Sequence, residues 1–549
     1  MALVQLISNT GQEDYFLTNN PQITLFKCVY RRNTIFSMFT IPQYFNTKVD
    51  FGHKYNCQIM NNGDLINYAT LLITLPSIPQ LYNLDQTVNE YVKFAWVRKI
   101  GFAIIQEISF NIDNMEIERH TGEWLNIWFQ LTKPSDDYNE LIGNIEKLYK
   151  YDKIKDEYTL LIPIPFWFCK SSSNALPLCC LKNHKINISL QLEDFNKCYK
   201  ITPTHYIIME NYNCQFKEDE YIIQNINNEE IVGQFNFFDN KTKKLYYSQI
   251  SKSLFKMPNY DDDNINNYLI KGLTSNYFAL PHIKKENDED KDELKYSIVY
   301  KFKELNNINI SECYMLINYI ALEEDEKIRF YKNSHQYLIE QINETTTTTF
   351  SSKFSSCKLN IDNPVKYLVW FCYQNNLNEL YNNDKFNYTN SYKYNDILYN
   401  KVIYDDYFID DIIINNKNYK LKFNYKNNPK INKYYNNNQY GDSLIKYDRL
   451  LFNGVERIYE SDKYFNIIQT LDNFNNQPQK GLHIYSFALY PLDYQPSGTC
   501  NMHKIDNVQL DLELDDCINL NNTATFKCYS VSYNILRVYA GYGKLIFVN

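Results

Sequence analysis

Two stretches of strict alternation, far apart in the chain, are approached and left in the same way, and this repeat constrains the fold more than any other feature. Ile186, Ile188, Leu190 and Leu192 are separated by Asn187, Ser189 and Gln191, and Val508, Leu510, Leu512 and Leu514 by Gln509, Asp511 and Glu513. A two-residue period puts every apolar side chain on one face of a strand and every polar one on the other. Upstream of the first lie Ile162-Pro163-Ile164-Pro165-Phe166-Trp167-Phe168, a Ser/Asn loop, and Leu181-Lys182-Asn183-His184-Lys185. Upstream of the second lie Ile484-Tyr485-Ser486-Phe487-Ala488-Leu489, Gln495-Pro496-Ser497-Gly498-Thr499, and Met502-His503-Lys504. Downstream, Cys313-Tyr314 leads to Asn318-Tyr319-Ile320, and Cys528-Tyr529 to Tyr533-Asn534-Ile535. The pattern reads as one β-module present twice, with coincidence in a composition-biased chain as the competing reading.

Composition supports an all-β chain. The 50 Tyr and 33 Phe suit pleated, half-buried surfaces, and 44% hydrophobic residues in a chain of 549 are ample for a large core. Only 14 Gly exclude collagen-like and glycine-linker chains. A net charge of −8 disfavours a general nucleic-acid coat, so no direct nucleic-acid partner is expected. Ile108, Phe110 and Ile112 run into Asp113-Asn114 and then Met115 and Ile117, which predicts a hairpin. Two helices are expected: Thr121 to Leu131 with Thr121 as cap, and Glu324 to Gln341 with Ile328, Tyr331 and Leu338 on one side. Thr345 to Thr349 with Ser351-Ser352 and Ser355-Ser356 reads as an extended linker. Asp194 to Asn309 holds Asp261-Asp262-Asp263 and the charge run Lys284 to Lys295, and Tyr373 to Tyr447 is crowded with Asn, Tyr, Asp and Lys. Both read as polar insertions, their charge runs as solvated loops.

The motifs of chemistry are missing. There is no phosphate-cradling GxxxxGK[ST] or GxGxxG, no GxSxG nucleophile elbow, no HExxH and no CxxC. The 13 cysteines are unclustered except for Cys179-Cys180, read as two small apolar residues on a strand. Glu323, Glu324, Asp325 and Glu326 are contiguous, which suits a solvated segment better than an acid/base pair across a cleft. His184 and His503 are expected to orient loops through ring hydrogen bonds rather than bind metal. Phe26-Lys27-Cys28-Val29-Tyr30-Arg31-Arg32 interleaves basic and aromatic residues, a weak phosphate signal in an acidic chain. Met1-Ala2-Leu3-Val4-Gln5 lacks a secretory start, and Ala2 excludes N-myristoylation. Leu160 to Cys169, broken by Pro163 and Pro165, falls short of the ~20 residues of a spanning helix. The sequons at Asn187, Asn240, Asn309, Asn343, Asn387 and Asn521 are then read as chance, and the thiols as reduced. No catalytic, metal or cofactor-binding residue is expected.

Six blocks carry a family resemblance. Gly11-Gln12-Glu13-Asp14-Tyr15-Phe16-Leu17-Thr18-Asn19-Asn20-Pro21-Gln22-Ile23-Thr24-Leu25-Phe26 with Tyr30-Arg31-Arg32 closely resembles the N-terminal signature of major capsid proteins of nucleocytoplasmic large DNA viruses, the algal, irido- and mimivirus-like group. Phe166-Trp167-Phe168 with Ala175-Leu176-Pro177-Leu178 resembles the family's aromatic strand and turn. Asn318-Tyr319-Ile320, Asp325-Glu326, Arg329-Phe330 and Ser334 to Gln341 resemble the end of its first barrel, and Asn363-Pro364-Val365-Lys366-Tyr367-Leu368-Val369-Trp370 the opening of its second. Tyr485 to Leu489, Gln495 to Thr499 and Ile505-Asp506 resemble its C-terminal block, and Tyr533-Asn534-Ile535-Leu536-Arg537 with Gly541 and Gly543 its closing strand. Asn33 stands where His is usual, Lys170-Ser171-Ser172-Ser173 replaces an Arg-Asn-Pro-Gly-like turn, and Met502-His503-Lys504 a Phe-Ser-Arg-like run.

The resemblance implies two tandem eight-stranded jelly rolls. It places an N-terminal arm at 1–24, a first jelly roll at 25–342 with an insertion at about 194–309, a linker at 343–356, and a second jelly roll at 357–549 with an insertion at about 373–447. It further implies a structural capsid role: homotrimers as pseudo-hexagonal capsomers of an icosahedral shell, beside other capsomers, minor capsid proteins and an inner viral membrane, assembled in the host cytoplasm. A minor capsid paralogue is the alternative within the family. A jelly-roll carbohydrate-binding protein or glycosidase, using exposed Tyr and Trp against sugars, is the alternative outside it.

Overall fold

The computed structural model describes residues 33–81, 92–132, 137–210, 214–217, 220–226, 229–251, 253–258, 268–283, 308–345, 347–375, 385–390, 442–474, 476–520, 522–539 and 541–547, the hairpin strands 408–414 and 417–422, and isolated positions at 20, 305 and 383.

The first barrel begins with β1 (Phe36–Tyr44), β2 (Lys54–Gln58), β3 (Leu65–Leu75) and β4 (Ile105–Ile112). It continues with β5 (Met115–Thr121), helix α1 (Gly122–Thr132), β6 (Tyr158–Pro163) and β7 (Ile186–Leu192). Six strands then stand apart: β8 (His205–Ile208), β9 (Tyr221–Ile226), β10 (Glu229–Asp239), β11 (Lys244–Gln249), β12 (Ile270–Gly272) and β13 (Phe278–Ala279). β14 (Glu312–Leu322) closes the first barrel, and helix α2 (Glu324–Lys332) leads to the second. That barrel comprises β15 (His335–Glu344), β16 (Phe354–Leu359), β17 (Pro364–Gln374), β18 (Ile445–Phe452) and β19 (Val455–Ser461). It ends with helix α3 (Gln469–Phe474), β20 (His483–Ser486), β21 (Val508–Leu514) and β22 (Ala524–Tyr539).

The two barrels are wired identically. One sheet of the first runs β1-β14-β3-β6 and the other β2-β7-β4-β5. In the second barrel the orders are β15-β22-β17-β20 and β16-β21-β18-β19. This is a double jelly roll, each module sandwiching two antiparallel sheets and so limiting its exposed edges. The alternating strands β7 and β21 are central in their sheets, paired on both sides, as are β14 and β22. The duplication read from the sequence therefore maps strand for strand.

Local irregularities repeat too. The ladder between β4 and β7 shifts register between Ile105 and Glu107, and that between β18 and β21 between Ile445 and Tyr447. The β4–β5 and β18–β19 hairpins slip at Phe110/Asn111 and Leu450/Leu451. Both turn on a left-handed residue, Asp113 (φ 53°) and Asn453 (φ 50°), types that tolerate that region. Inward side chains make one core per barrel: Leu71, Ile73, Phe110 and Ile188 among those of the first, and Leu368, Trp370, Leu510 and Phe526 of the second.

Several expectations need correction. The helix expected over Glu324 to Gln341 stops at Lys332, and His335–Glu344 is strand β15, because it pairs residue for residue with β22 and so buries Tyr337 and Ile339 on one face. β15 is bonded to the second barrel, so that barrel's sheet begins before residue 343. The segment expected as a linker is also sheet: Thr348–Phe350 pairs with β22, and buried Thr345 donates its hydroxyl to Cys528 O at 3.0 Å. Small polar residues form strands there because a neighbouring ladder supplies the hydrogen bonds. Cys179 and Cys180 lie in a buried 3-10 turn, not a strand.

The first insertion is not simply solvated loop. β8 to β13 form a sheet of their own in the order β8-β11-β10-β9-β12-β13, with a core that includes Ile207, Ile222, Ile231, Phe235, Leu245 and Tyr247. The second insertion is bounded more tightly than expected, since Tyr373 and Gln374 belong to β17 and Ile445–Tyr447 to β18. Its start also turns inward: Phe386 joins the first barrel's core, and Tyr388 packs between the barrels. Lys284 to Lys295, Asp261 to Asp263, Tyr434 to Tyr440 and, apart from Asn20, the N-terminal block to Arg32 lie outside the described residues.

Candidate functional site

For a chain without a catalytic motif the working surfaces are those by which barrels hold each other, and one is complete within the chain. Helix α1 leaves β5 at Thr121, whose Oγ1 accepts the Trp124 N–H at 3.2 Å and caps the first turn. Leu125 points into the first barrel's core. Trp124, Ile127 and Leu131 point the other way, into Tyr367, Val369, Phe371, Tyr529, Val531 and Ile484 on the outer face of the second barrel. The Trp124 and Tyr529 rings lie 5.6 Å apart. Each such side chain, fully buried, contributes roughly 1.5–3 kcal/mol, so the helix clamps two sandwiches into one body.

Polar groups fix its register. Glu123 Oε2 meets Lys527 Nζ at 2.6 Å and accepts the Tyr529 hydroxyl at 3.1 Å; Glu344 adds a second carboxylate at 3.5 Å from Lys527. Burial works against the charge on Lys527, but Glu123 and then Glu344 outweigh it and hold the ammonium above the ordinary lysine value. Deeper in the seam, Glu340 sits between Lys170, at 2.6 Å, and the buried Lys366. Burial raises the Glu340 carboxyl, yet Lys170 and Lys366 together bring it below the usual glutamate range. A small open cavity of about 220 Å³ lies along the same seam, between Glu116, Glu118, Gln341 and Phe547.

One arrangement escaped sequence reasoning. Ser443 Oγ lies 3.1 Å from His483 Nε2, His483 Nδ1 lies 2.5 Å from Asp448 Oδ2, and Trp370 Nε1 donates to Asp448 Oδ1 at 3.0 Å. The order Ser–His–carboxylate is that of a hydrolase triad. Here all four residues are at most 1% exposed, and Ser443 Oγ already accepts the Ile445 N–H. The group satisfies polar atoms inside the second barrel, where an unpaired one would cost about 1–3 kcal/mol. Its members come from the end of an insertion and three strands, so no spacing in the sequence announced it.

Comparison with known proteins gives the surfaces their context. Residues 24–227 match the family model described as major capsid protein N-terminus, and residues 326–544 that of the large eukaryotic DNA virus major capsid protein. The chain is 32% identical over 556 residues to "Probable capsid protein 4" of Acanthamoeba polyphaga mimivirus, covering 99% of this chain and 98% of that one. The chain belongs to the large eukaryotic DNA virus major capsid protein family. It is also 26% identical over 612 residues to the major capsid protein of Phaeocystis pouchetii virus, covering 100% of this chain and 99% of the relative. A chain of the PBCV-1 virus capsid superposes with a TM-score of 0.56 at 20% identity, over 96% of this chain and 100% of that one, and so shares its fold. Membership in this capsid family makes the protein a structural component of the virion shell, built to assemble with other capsid subunits.

Within the family frame the residues singled out earlier take structural places. His184 orients a loop as expected: its Nδ1 bonds Asp113, and its Nε2 accepts the Gly543 N–H at 3.1 Å. His503 is exposed on a 3-10 turn, and among the described residues its bond is from the backbone N–H to Asn501 Oδ1 rather than from the ring. Glu323 precedes α2, and Glu324, Asp325 and Glu326 form its first turn, where negative charge suits the helix dipole. Phe166, Trp167 and Phe168 are buried beside Phe110 and Tyr337. Among the described residues no group of three or more His, Cys, Asp or Glu is placed to hold a metal, and no helix is long and apolar enough to cross a membrane.

Proposed function

We propose that the chain forms a homotrimer, and that three copies of its two alike barrels make a pseudo-hexagonal capsomer that tiles an icosahedral shell. The observation that carries this reading is α1 seated on the neighbouring barrel: one barrel already recognises the next through a contact that a repeating module can continue. Six similar columns give a hexagonal outline, and hexagons tile a facet without gaps. Interfaces of this kind fall in the obligate class, at roughly 2,000 Å² or more. Light scattering of purified protein is expected to give three times the 65.6 kDa chain mass. A mass near one chain at micromolar concentration, or micrographs without compact pseudo-hexagonal particles, would sink the reading.

On the same reading the chain works as geometry rather than chemistry, without catalytic activity, metal or cofactor, and is assembled in the host cytoplasm beside minor capsid proteins and close to an inner viral membrane. The first barrel is read as opening at about residue 25 and ending before His335, and the second as opening with β15 at His335. A minor capsid paralogue is favoured by one observation, that the relative at 32% identity carries a numbered capsid name rather than a major one. Quantitative mass spectrometry of virions separates the two by copy number per particle.

A further inference from the structure

Residues 105–131 and 445–471 correspond one for one without a gap. β4 and β18 open on Ile105 and Ile445, the left-handed turns fall on Asp113 and Asn453, and β5 and β19 end on Thr121 and Ser461. The helical segments that follow are equivalent in position, Glu123-Trp124-Leu125-Asn126-Ile127 of α1 against Lys463-Tyr464-Phe465-Asn466-Ile467, where Tyr464–Ile468 forms a π-helical turn that runs into α3. Leu125 and Phe465 each enter their own barrel's core, and Asn126 and Asn466 are both buried. The three residues that α1 drives into the second barrel correspond to Tyr464, Ile467 and Leu471. Leu471 is 52% exposed, its neighbour Ile468 48%, and Tyr464 and Ile467 are only partly buried. The positions of α1's docking residues are thus repeated, and in the single chain Leu471 is left exposed and Tyr464 and Ile467 partly so.

The receiving face is repeated as well. Lys527-Cys528-Tyr529 on β22 answers to Glu312-Cys313-Tyr314 on β14. Tyr529 stands opposite Val369, and Tyr314 opposite Leu72; Val531 stands opposite Tyr367, and Leu316 opposite Thr70. In the second barrel this face lies under α1. In the first, Tyr314 and Leu316 are partly exposed, and Tyr44 and Tyr68 on the same face are 64% and 49% exposed.

Charge supplies the independent observation. Within the chain Glu123 pairs with Lys527. At the equivalent positions the signs are exchanged: Lys463 on the helical segment and Glu312 on the sheet. Both are exposed, and among the described residues neither has an ion-pair partner.

We propose that the turn Tyr464–Ile468 and α3 of one copy dock on the β14 face of the next, with Tyr464, Ile467 and Leu471 over Tyr314 and Leu316, and Lys463 against Glu312. This rests on the trimeric reading and names the surfaces that make it. Donor and receiver lie on different barrels, so the contact is heterologous and repeats until the ring closes. The exchanged charges also set the order of barrels. Lys463 placed over Lys527 would meet its own sign, so the second barrel's helix is directed to a first barrel and not to another second one.

The test is a charge exchange on the full chain, followed by light scattering on dilution. Lys463→Glu and Glu312→Lys, both at exposed positions, are each expected to raise the concentration at which trimers fall apart by about tenfold or more. Combined, they should restore it to near the wild-type value. The pair Lys463→Cys with Glu312→Cys should form a disulfide between chains under mild oxidation. If wild type is a trimer and neither single change weakens it, and no cross-link forms, the docking proposal is overturned while the trimer stands. If wild type is a monomer, the trimeric reading falls and the docking with it.

Discussion

The same sheet face occurs twice in this protein, once covered by a helix and once with tyrosines exposed and, among the described residues, no helix over it. On the second barrel Tyr367, Val369, Phe371 and Tyr529 are at most 1% exposed beneath α1, and Lys527 and the buried Lys366 are each satisfied by a carboxylate. On the first barrel the equivalent face carries partly exposed Thr70 and Tyr314 beside buried Leu72 and Thr74, with exposed Thr40 where the second barrel has Glu340. The covered face is aromatic at its centre and ion-paired around it; the bare one is amphipathic. A face filled within its own chain can commit large apolar groups and paired charges permanently. A face left for assembly must stay compatible with water until a partner arrives.

The comparison breaks most easily at Trp124. Trp124→Ala should cost about 3–5 kcal/mol in denaturant unfolding, because the seam cannot collapse around the space left. A loss under about 1 kcal/mol would mean that α1 does not clamp the barrels. Leu131→Ala against Leu471→Ala sharpens the contrast. The first should cost about 2–5 kcal/mol; the second, measured in dilute chains, within about 0.5 kcal/mol. Equal effects would erase the distinction between covered and bare.

Glu340→Gln, which leaves Lys366 buried without its carboxylate, should cost about 3 kcal/mol at neutral pH. The folded-state pKa of Glu340 lies below its unfolded value of about 4.3, so its contribution is complete above that pH and is lost as pH falls through the folded value. The variant should therefore show a flatter acid-side stability profile than wild type, and identical profiles would count against the Lys170–Glu340–Lys366 cluster. The smallest effect belongs to Arg449→Ala, which removes a surface pair with Asp511 at 2.8 Å. It should leave the denaturant midpoint nearly unchanged, and the small difference should vanish in high salt.

Much of the double sandwich was legible because alternation is a local property: Ile186 to Leu192 and Val508 to Leu514 had to be half-buried strands wherever they lay. The Asp113-Asn114 hairpin and the Thr121 cap were legible for the same reason, as their chemistry is set by neighbours in the chain. His335 to Gln341 reads as helix in the sequence but is strand, because its preference is settled by β22, which lies far downstream. The threonine and serine segment after it reads as linker but is sheet likewise, since its hydrogen bonds come from that same distant strand. Nothing local marks Ile207, Ile231 and Leu245 as a separate core, because their contacts join short strands across loops.

Sequence by itself determined the family, the all-β class and the presence of one module twice, since composition, alternation and ordered blocks are carried by the covalent chain. Only the tertiary structure decided which face α1 covers, that Ser443, His483 and Asp448 meet in a closed core, and that Lys463 and Glu312 repeat the Glu123–Lys527 pair with signs exchanged. Those relations depend on which strands lie side by side after folding. Two residues far apart in sequence acquire a common environment only when a sheet brings them within a few ångströms.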